Sequence, residues 1–120
     1  MKTLKDIQKD IELRKRILWH MTPQENFSEV EIKSQEDLKK AQRDAEARAG
    51  YYFFIDVWDM APRLCLFENR PDGSGEVVGI VEAPERMLDK AIEEAGGAIN
   101  ISGHYPINRK IRNWLMKKLL

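Results

Sequence analysis

The residue whose chemistry stands out most in this sequence is an acid within an apolar run. Asp56 lies in the segment Tyr51–Trp58, whose other members are all aromatic or aliphatic. Burying an unpaired carboxylate is costly and raises its pKa, so a buried acid of this kind is a candidate for acid–base chemistry. We favour the alternative that Asp56 pairs with Arg63 across a hairpin or lies at a solvated strand end, because structural ion pairs are common.

A histidine in a glycine-containing loop is the second residue with chemistry to offer. His104 can act as an acid, a base or a ligand, since histidine titrates near neutral pH. His20 lies far away in the sequence, and the spacing does not match a zinc site, so we predict no metal site and no cofactor. A pocket that joins Asp56 and Trp58 to His104 and Tyr105 would indicate a small enzyme or a ligand-binding protein. The simpler interpretation is a loop histidine satisfied by the backbone.

The chain has one cysteine, Cys65, which lies between two leucines in a predicted strand. A nucleophilic cysteine needs a lowered pKa, a neighbouring base and some exposure. We therefore predict that Cys65 is a small buried apolar residue. A single thiol forms no intramolecular disulfide, which suits a reducing compartment.

The C-terminal stretch shows the clearest asymmetry of charge. Residues 104–120 contain five basic side chains and no acidic one. Arg109, Lys110 and Arg112 would carry the phosphate contacts of a nucleic-acid surface on the last helix. The whole chain, however, has 20 basic and 20 acidic residues, and this zero net charge disfavours nucleic acid as a partner. We expect these side chains to point mostly toward water, and nucleic-acid binding is our second alternative.

The elements that would position these residues mix helices and strands. The predicted helices span 3–21, 34–50, 84–96 and 107–118. The predicted strands span 29–33, 51–58, 63–68 and 76–81, with a short one over 98–102. This pattern predicts an α+β fold: an antiparallel or mixed sheet of four to five strands with a three-stranded meander, and helices largely on one face. The element order is loosely similar to a ferredoxin-like sandwich with added N- and C-terminal helices, a likeness that carries no function.

The N-terminal segment is predicted to form a single long helix. Its apolar residues follow a three-four spacing, which predicts one buried stripe. The stripe contains Leu4, Ile7, Ile11, Leu18 and Met21. We interpret residues 1–27 as a helical arm of one domain that spans residues 1–120.

Both faces of the strand over 51–58 are mostly apolar. We therefore expect one face to be covered by helices and the other by a partner chain or the terminal helices. With no catalytic constellation in the sequence, this favours a non-enzymatic binding or regulatory module that self-associates as a homodimer. The charged first residues and the short apolar runs predict a cytoplasmic protein without a membrane span. The sequence names no further protein or small-ligand partner.

Overall fold

The computed structural model describes residues 1–20, 32–97 and 103–120, and these ranges contain five helices and four strands. The helices are α1 (Leu4–Lys9), α2 (Ile11–Lys15), α3 (Gln35–Ala47), α4 (Glu85–Ala95) and α5 (Arg109–Leu119). The strands are β1 (Gly50–Trp58), β2 (Ala61–Asn69), β3 (Gly75–Val81) and β4 (Tyr105–Pro106). The predicted strand over 98–102 and the first three residues of that over 29–33 lie outside the described residues. Ile32 and Lys33 are described and are not in a strand.

The four strands form one antiparallel sheet in the order β3-β2-β1-β4. The predicted α+β class and the three-stranded meander are confirmed, whereas the ferredoxin-like likeness is not. Tyr105 and Pro106, which the sequence predicts to lie in a loop, form β4 and pair with Ile55 and Phe54 of β1. This pairing makes β1 a central strand for part of its length.

The main core lies between one face of the sheet and four of the helices. Side chains of β1 that alternate along the strand share this face, namely Tyr51, Phe53 and Ile55. The helices α1, α2, α4 and α5 all contribute buried side chains to the same cluster, as expected for helices packed largely on one face. Their contributions are Ile7, Leu13, Leu88, Ala91, Ile111, Leu115 and Leu119.

The prediction of one helix over 3–21 is wrong, because the segment forms two short helices. Asp10 has an extended backbone with φ −94° and ψ 90°, and its carboxylate accepts a hydrogen bond from the Leu13 N–H at 3.0 Å. It therefore ends α1 and caps the N-terminus of α2. The break changes the helical phase, so Leu13 and Ile17 are buried while Ile11 is 57% exposed. Met21 lies outside the described residues.

The N-terminal segment also contacts two different strands of the sheet. The Lys2 N–H donates to the Val78 carbonyl at 2.9 Å, which places Lys2 in a parallel bridge with Gly79 of β3. A Cβ atom on Gly79 would lie 2.9 Å from the Lys2 carbonyl oxygen, so this close approach requires glycine. Ile17 forms a second parallel bridge, with Tyr51 of β1. Residues 1–20 thus cover parts of the edges of β3 and β1.

The last helix is held in the core by a stripe of apolar residues at helical spacing along one side. Ile111, Leu115 and Leu119 are at most 1% exposed. The Arg14 guanidinium donates to the Leu119 carbonyl at 2.8 Å, which satisfies a backbone group at the end of α5. The N-terminal segment and the C-terminal helix are therefore packed together.

Candidate functional site

The strand β1 passes through two different environments. Its first part is buried, with Tyr52, Phe54 and Ile55 each 0% exposed in the single chain. Its last two residues emerge from the fold, since Val57 is 47% exposed and Trp58 is 66% exposed. The prediction that both faces are covered is thus right for the first part and wrong for the end, and no partner chain is needed to bury Tyr52 and Phe54.

The second face of β1 is covered by segments other than the terminal helices. The Tyr52 hydroxyl donates to the carbonyl of Arg48 at the end of α3. The His104 ring packs against the Phe54 ring with 4.1 Å between centroids. The expectation that the terminal helices cover this face is therefore wrong, because they pack on the other face while the loop before β4 and the end of α3 contact this one.

Asp56 forms the ion pair with Arg63 that the sequence suggests. The Arg63 Nε and Nη2 atoms lie 3.1 Å and 2.9 Å from the two carboxylate oxygens of Asp56. Hydrogen bonding to the Asp56 carboxylate raises the pKa of Arg63. The same guanidinium lies over the Trp58 ring, 5.2 Å from its centroid. Asp56 thus positions Arg63, and Arg63 positions Trp58.

The turn between β1 and β2 places a methionine in a left-handed backbone conformation. Trp58 pairs with Ala61, so only Asp59 and Met60 form the turn, and their φ angles are +54° and +64°. Two-residue turns with positive φ at both positions favour Asn or Asp followed by Gly. Met60 occupies the glycine position, where an L-residue costs about 1–2 kcal/mol. We call residues 57–61 the hairpin tip.

The sequence does not predict this turn correctly. Met60, Ala61 and Pro62 together suggest a break before a strand that starts at Arg63, yet β2 begins at Ala61. Pro62 is tolerated because β3 pairs with β2 only as far as Leu64, so the missing N–H of Pro62 removes no bond to β3. The sequence signal for a two-residue hairpin is Asn or Asp followed by Gly, and Met60 in the second position removes half of it.

The hairpin tip exposes three large apolar side chains within four residues. Met60 is 96% exposed, and Val57 and Trp58 accompany it. Val57 and Trp58 are successive residues of a strand and therefore point to opposite faces of the hairpin, with Met60 in the turn beside them. Exposed apolar residues that are scattered singly are normal, whereas a group of them at one hairpin end is a candidate interaction site. Val57 and Met60 were not among the site residues predicted from the sequence, since their exposure is visible only in the fold.

The four residues predicted to share a ligand pocket are distributed over both faces of the sheet. Asp56 and Trp58 lie on the same face, joined through Arg63. His104 packs on that face too, against the residue two positions before Asp56. Tyr105 pairs with Ile55 and packs against the main core on the other face.

The sheet also contains a buried thiol. Cys65 is 0% exposed, and burial raises its pKa to about 12, so the thiol stays protonated at neutral pH. The prediction of a buried apolar cysteine is confirmed.

In ranges 1–20, 32–97 and 103–120, no group of three or more His, Cys, Asp or Glu side chains is placed to hold a metal ion. No helix of these ranges has the length and apolar character to cross a bilayer.

The basic residues of the last helix divide between two environments. Arg109 and Lys110 are exposed and line a groove of about 730 Å³ between α4 and the start of α5, which we call the α4–α5 groove. Arg112 is half-buried, and its Nε atom is buried without a hydrogen-bond partner among the described residues. The expectation that Arg112 points mostly toward water is therefore wrong. Arg86 and Lys90 of α4 complete the basic lining, and their (i, i+4) spacing was the sequence signal that they share a helix face.

The chain matches no protein-family model, no curated protein and no solved structure. The geometry of its surface is therefore the basis for a functional proposal.

Proposed function

We propose that this protein is a non-enzymatic binding module that self-associates through its hairpin tip. The observation that carries the proposal is the exposure of Trp58 and Met60 at the hairpin tip, with Met60 in a backbone conformation that favours glycine. Methionine and tryptophan are enriched at the centres of protein interfaces. An exposed methionine held in a strained backbone conformation is a candidate for function.

The side chains behind the tip support a role in binding. Arg63 is fixed by two hydrogen bonds to Asp56 and lies over the Trp58 ring. A side chain that is already held in position loses less conformational entropy when it binds, which increases affinity. Asp56, with both oxygens engaged by Arg63, acts in this proposal as a positioning group and not as an acid or base.

A second copy of the chain is the partner that the charges favour. The chain has a formal net charge of zero, so two copies do not repel each other at long range. The charge of Asp56 is compensated by Arg63 next to the apolar patch. A twofold axis at the tip would bring Trp58 and Met60 of one protomer against the same residues of its partner.

The size of the patch sets the strength of this association. Two exposed side chains offer much less surface than the roughly 800 Å² that each partner contributes to a standard interface. We therefore propose a weak, concentration-dependent homodimer. A cytoplasmic location is part of the same proposal, because the lone buried thiol of Cys65 suits a reducing compartment.

The oligomeric state tests the proposal. Sedimentation velocity and light scattering over a series from micromolar to hundreds of micromolar should give an average mass that rises from monomer toward dimer. Trp58→Ser and Met60→Ser should each abolish the rise. Ile11→Ser is the matched control, since Ile11 is an exposed apolar residue outside the tip and its loss should leave the rise unchanged. A monomer at every concentration, or equal loss in the control, would overturn the proposal.

A further inference from the structure

The α4–α5 groove carries a positive charge that self-association through the hairpin tip does not use. Its volume of about 730 Å³ lies within the range of small-molecule sites. Four of its side chains are basic and one is acidic, an excess of three positive charges. The lining consists of Pro84, Arg86, Met87, Lys90, Glu94, Asn108, Arg109, Lys110 and Asn113.

The basic side chains of the groove have no acidic partners within the described part of the chain. The ion pairs there involve Lys15, Arg63 and Arg70, all outside the groove. The acid of the groove is already engaged, because the Glu94 carboxylate accepts a hydrogen bond from the Asn108 side chain at 2.9 Å. The cations are therefore available to a ligand.

The same asparagine fixes the geometry of the groove. The Asn108 side-chain oxygen accepts a hydrogen bond from the Ile111 N–H at 2.9 Å and caps α5, while its amide nitrogen binds Glu94 of α4. One side chain thus links the two helices that form the walls. The groove is accordingly held open by contacts that do not involve its basic residues.

We propose that the α4–α5 groove binds a phosphorylated small molecule that carries two or more negative charges. Arginine binds phosphate in a bidentate manner, and lysine adds a compact charge, so Arg86 and Arg109 with Lys90 and Lys110 match such a ligand. The half-buried Met87 provides an apolar surface for the carbon part of the molecule.

The lining favours a small ligand over a nucleic acid. None of the described lining residues is aromatic, so the groove offers no ring on which a base could stack. The chain as a whole has no basic excess, whereas nucleic-acid-binding domains usually have one. The half-buried Arg112 does not line the groove, which leaves the predicted trio of Arg109, Lys110 and Arg112 incomplete as a continuous surface.

Titration with inorganic pyrophosphate tests this site. Calorimetry, with amide chemical shifts as a map, should show binding that perturbs residues 84–94 and 108–113 and weakens as salt is added. The double variant Lys90→Glu/Arg109→Glu should lose affinity by about tenfold or more, because two charge-assisted contacts become repulsive. The control Lys39→Glu/Lys117→Glu changes the net charge by the same amount at exposed positions outside the groove. It should retain affinity within about twofold, as expected for screened distant charges.

Three results would overturn the proposal. The first is no binding of pyrophosphate at low salt, and the second is an equal loss of affinity in the groove variant and the control. The third is binding of a fluorescent DNA or RNA oligonucleotide that is tighter than that of pyrophosphate and is weakened by both double variants. That result would assign the basic residues to an extended nucleic-acid surface. Because self-association is measured separately through Trp58 and Met60, failure of either proposal leaves the other intact.

Discussion

The two parts of β1 differ in environment although they resemble each other in sequence. Tyr51–Ile55 and Val57–Trp58 are both made of aromatic and aliphatic residues. The first part is buried between helices on one side and the end of α3 with the His104 loop on the other. The second extends past the last β4 pair and is exposed. Coverage by distant segments, and not local composition, decides which residues of the strand form the core and which form a surface.

The largest expected effect lies in the buried part. Phe53 is 4% exposed and packs in the main core, so Phe53→Ala should lower the free energy of unfolding by about 3–5 kcal/mol. Trp58→Ala removes an aromatic residue from the same strand but should cost no more than about 1 kcal/mol, the contribution of an exposed contact with Arg63. Chemical denaturation of both variants measures the contrast. Similar losses for the two variants would contradict the division of β1.

The next effect concerns Cys65, which lies opposite Phe54 in the buried part. Folding raises the pKa of this thiol from 9.0 to about 12, so its contribution to stability is full below pH 9 and is lost as the pH rises toward 12. Between these pH values, the free energy of unfolding should fall more steeply for the wild type than for Cys65→Ala. The variant is the right comparison because the pKa values of Tyr51 and Tyr52 are also raised, and both tyrosines remain in it. Parallel curves would show that Cys65 is not buried as described.

A smaller effect of opposite sign is expected at the turn. Met60→Gly relieves the positive φ angle, and stability should rise by about 0.5–1 kcal/mol after the greater freedom of glycine in the unfolded chain is included. The same substitution should weaken self-association. Met60→Ala is the control, because it removes the side chain but keeps the left-handed backbone, and so should weaken association without a gain in stability. A loss of stability in Met60→Gly would argue against a binding role for the tip.

The sequence predicts the elements of this fold better than their surroundings. The alternation and aromatic content of 51–58 and the stripe of Ile111, Leu115 and Leu119 identify β1 and α5 correctly, because these are local patterns. The break at Asp10 escapes prediction, since the apolar spacing on either side fits one continuous helix. The pairing of Tyr105 with Ile55 escapes it as well, because a contact over fifty residues of chain leaves no local signal.

The candidate sites show the same limit. The ion pair of Asp56 with Arg63 was foreseeable, because a hairpin places the two residues opposite each other. The exposure of Met60 could not be foreseen, since it depends on how the rest of the chain packs around the turn. The groove combines Lys90 and Arg109 from two helices that are distant in sequence, and only their packing brings them together.

The most direct test of the tip as a contact surface is a dilution series followed residue by residue. Amide chemical shifts of isotope-labelled protein should change with concentration at residues 57–61, where the proposed interface lies. The buried part of β1 and the walls of the α4–α5 groove should show no change. Shifts that stay constant at residues 57–61, or that change only elsewhere, would contradict self-association through the hairpin tip.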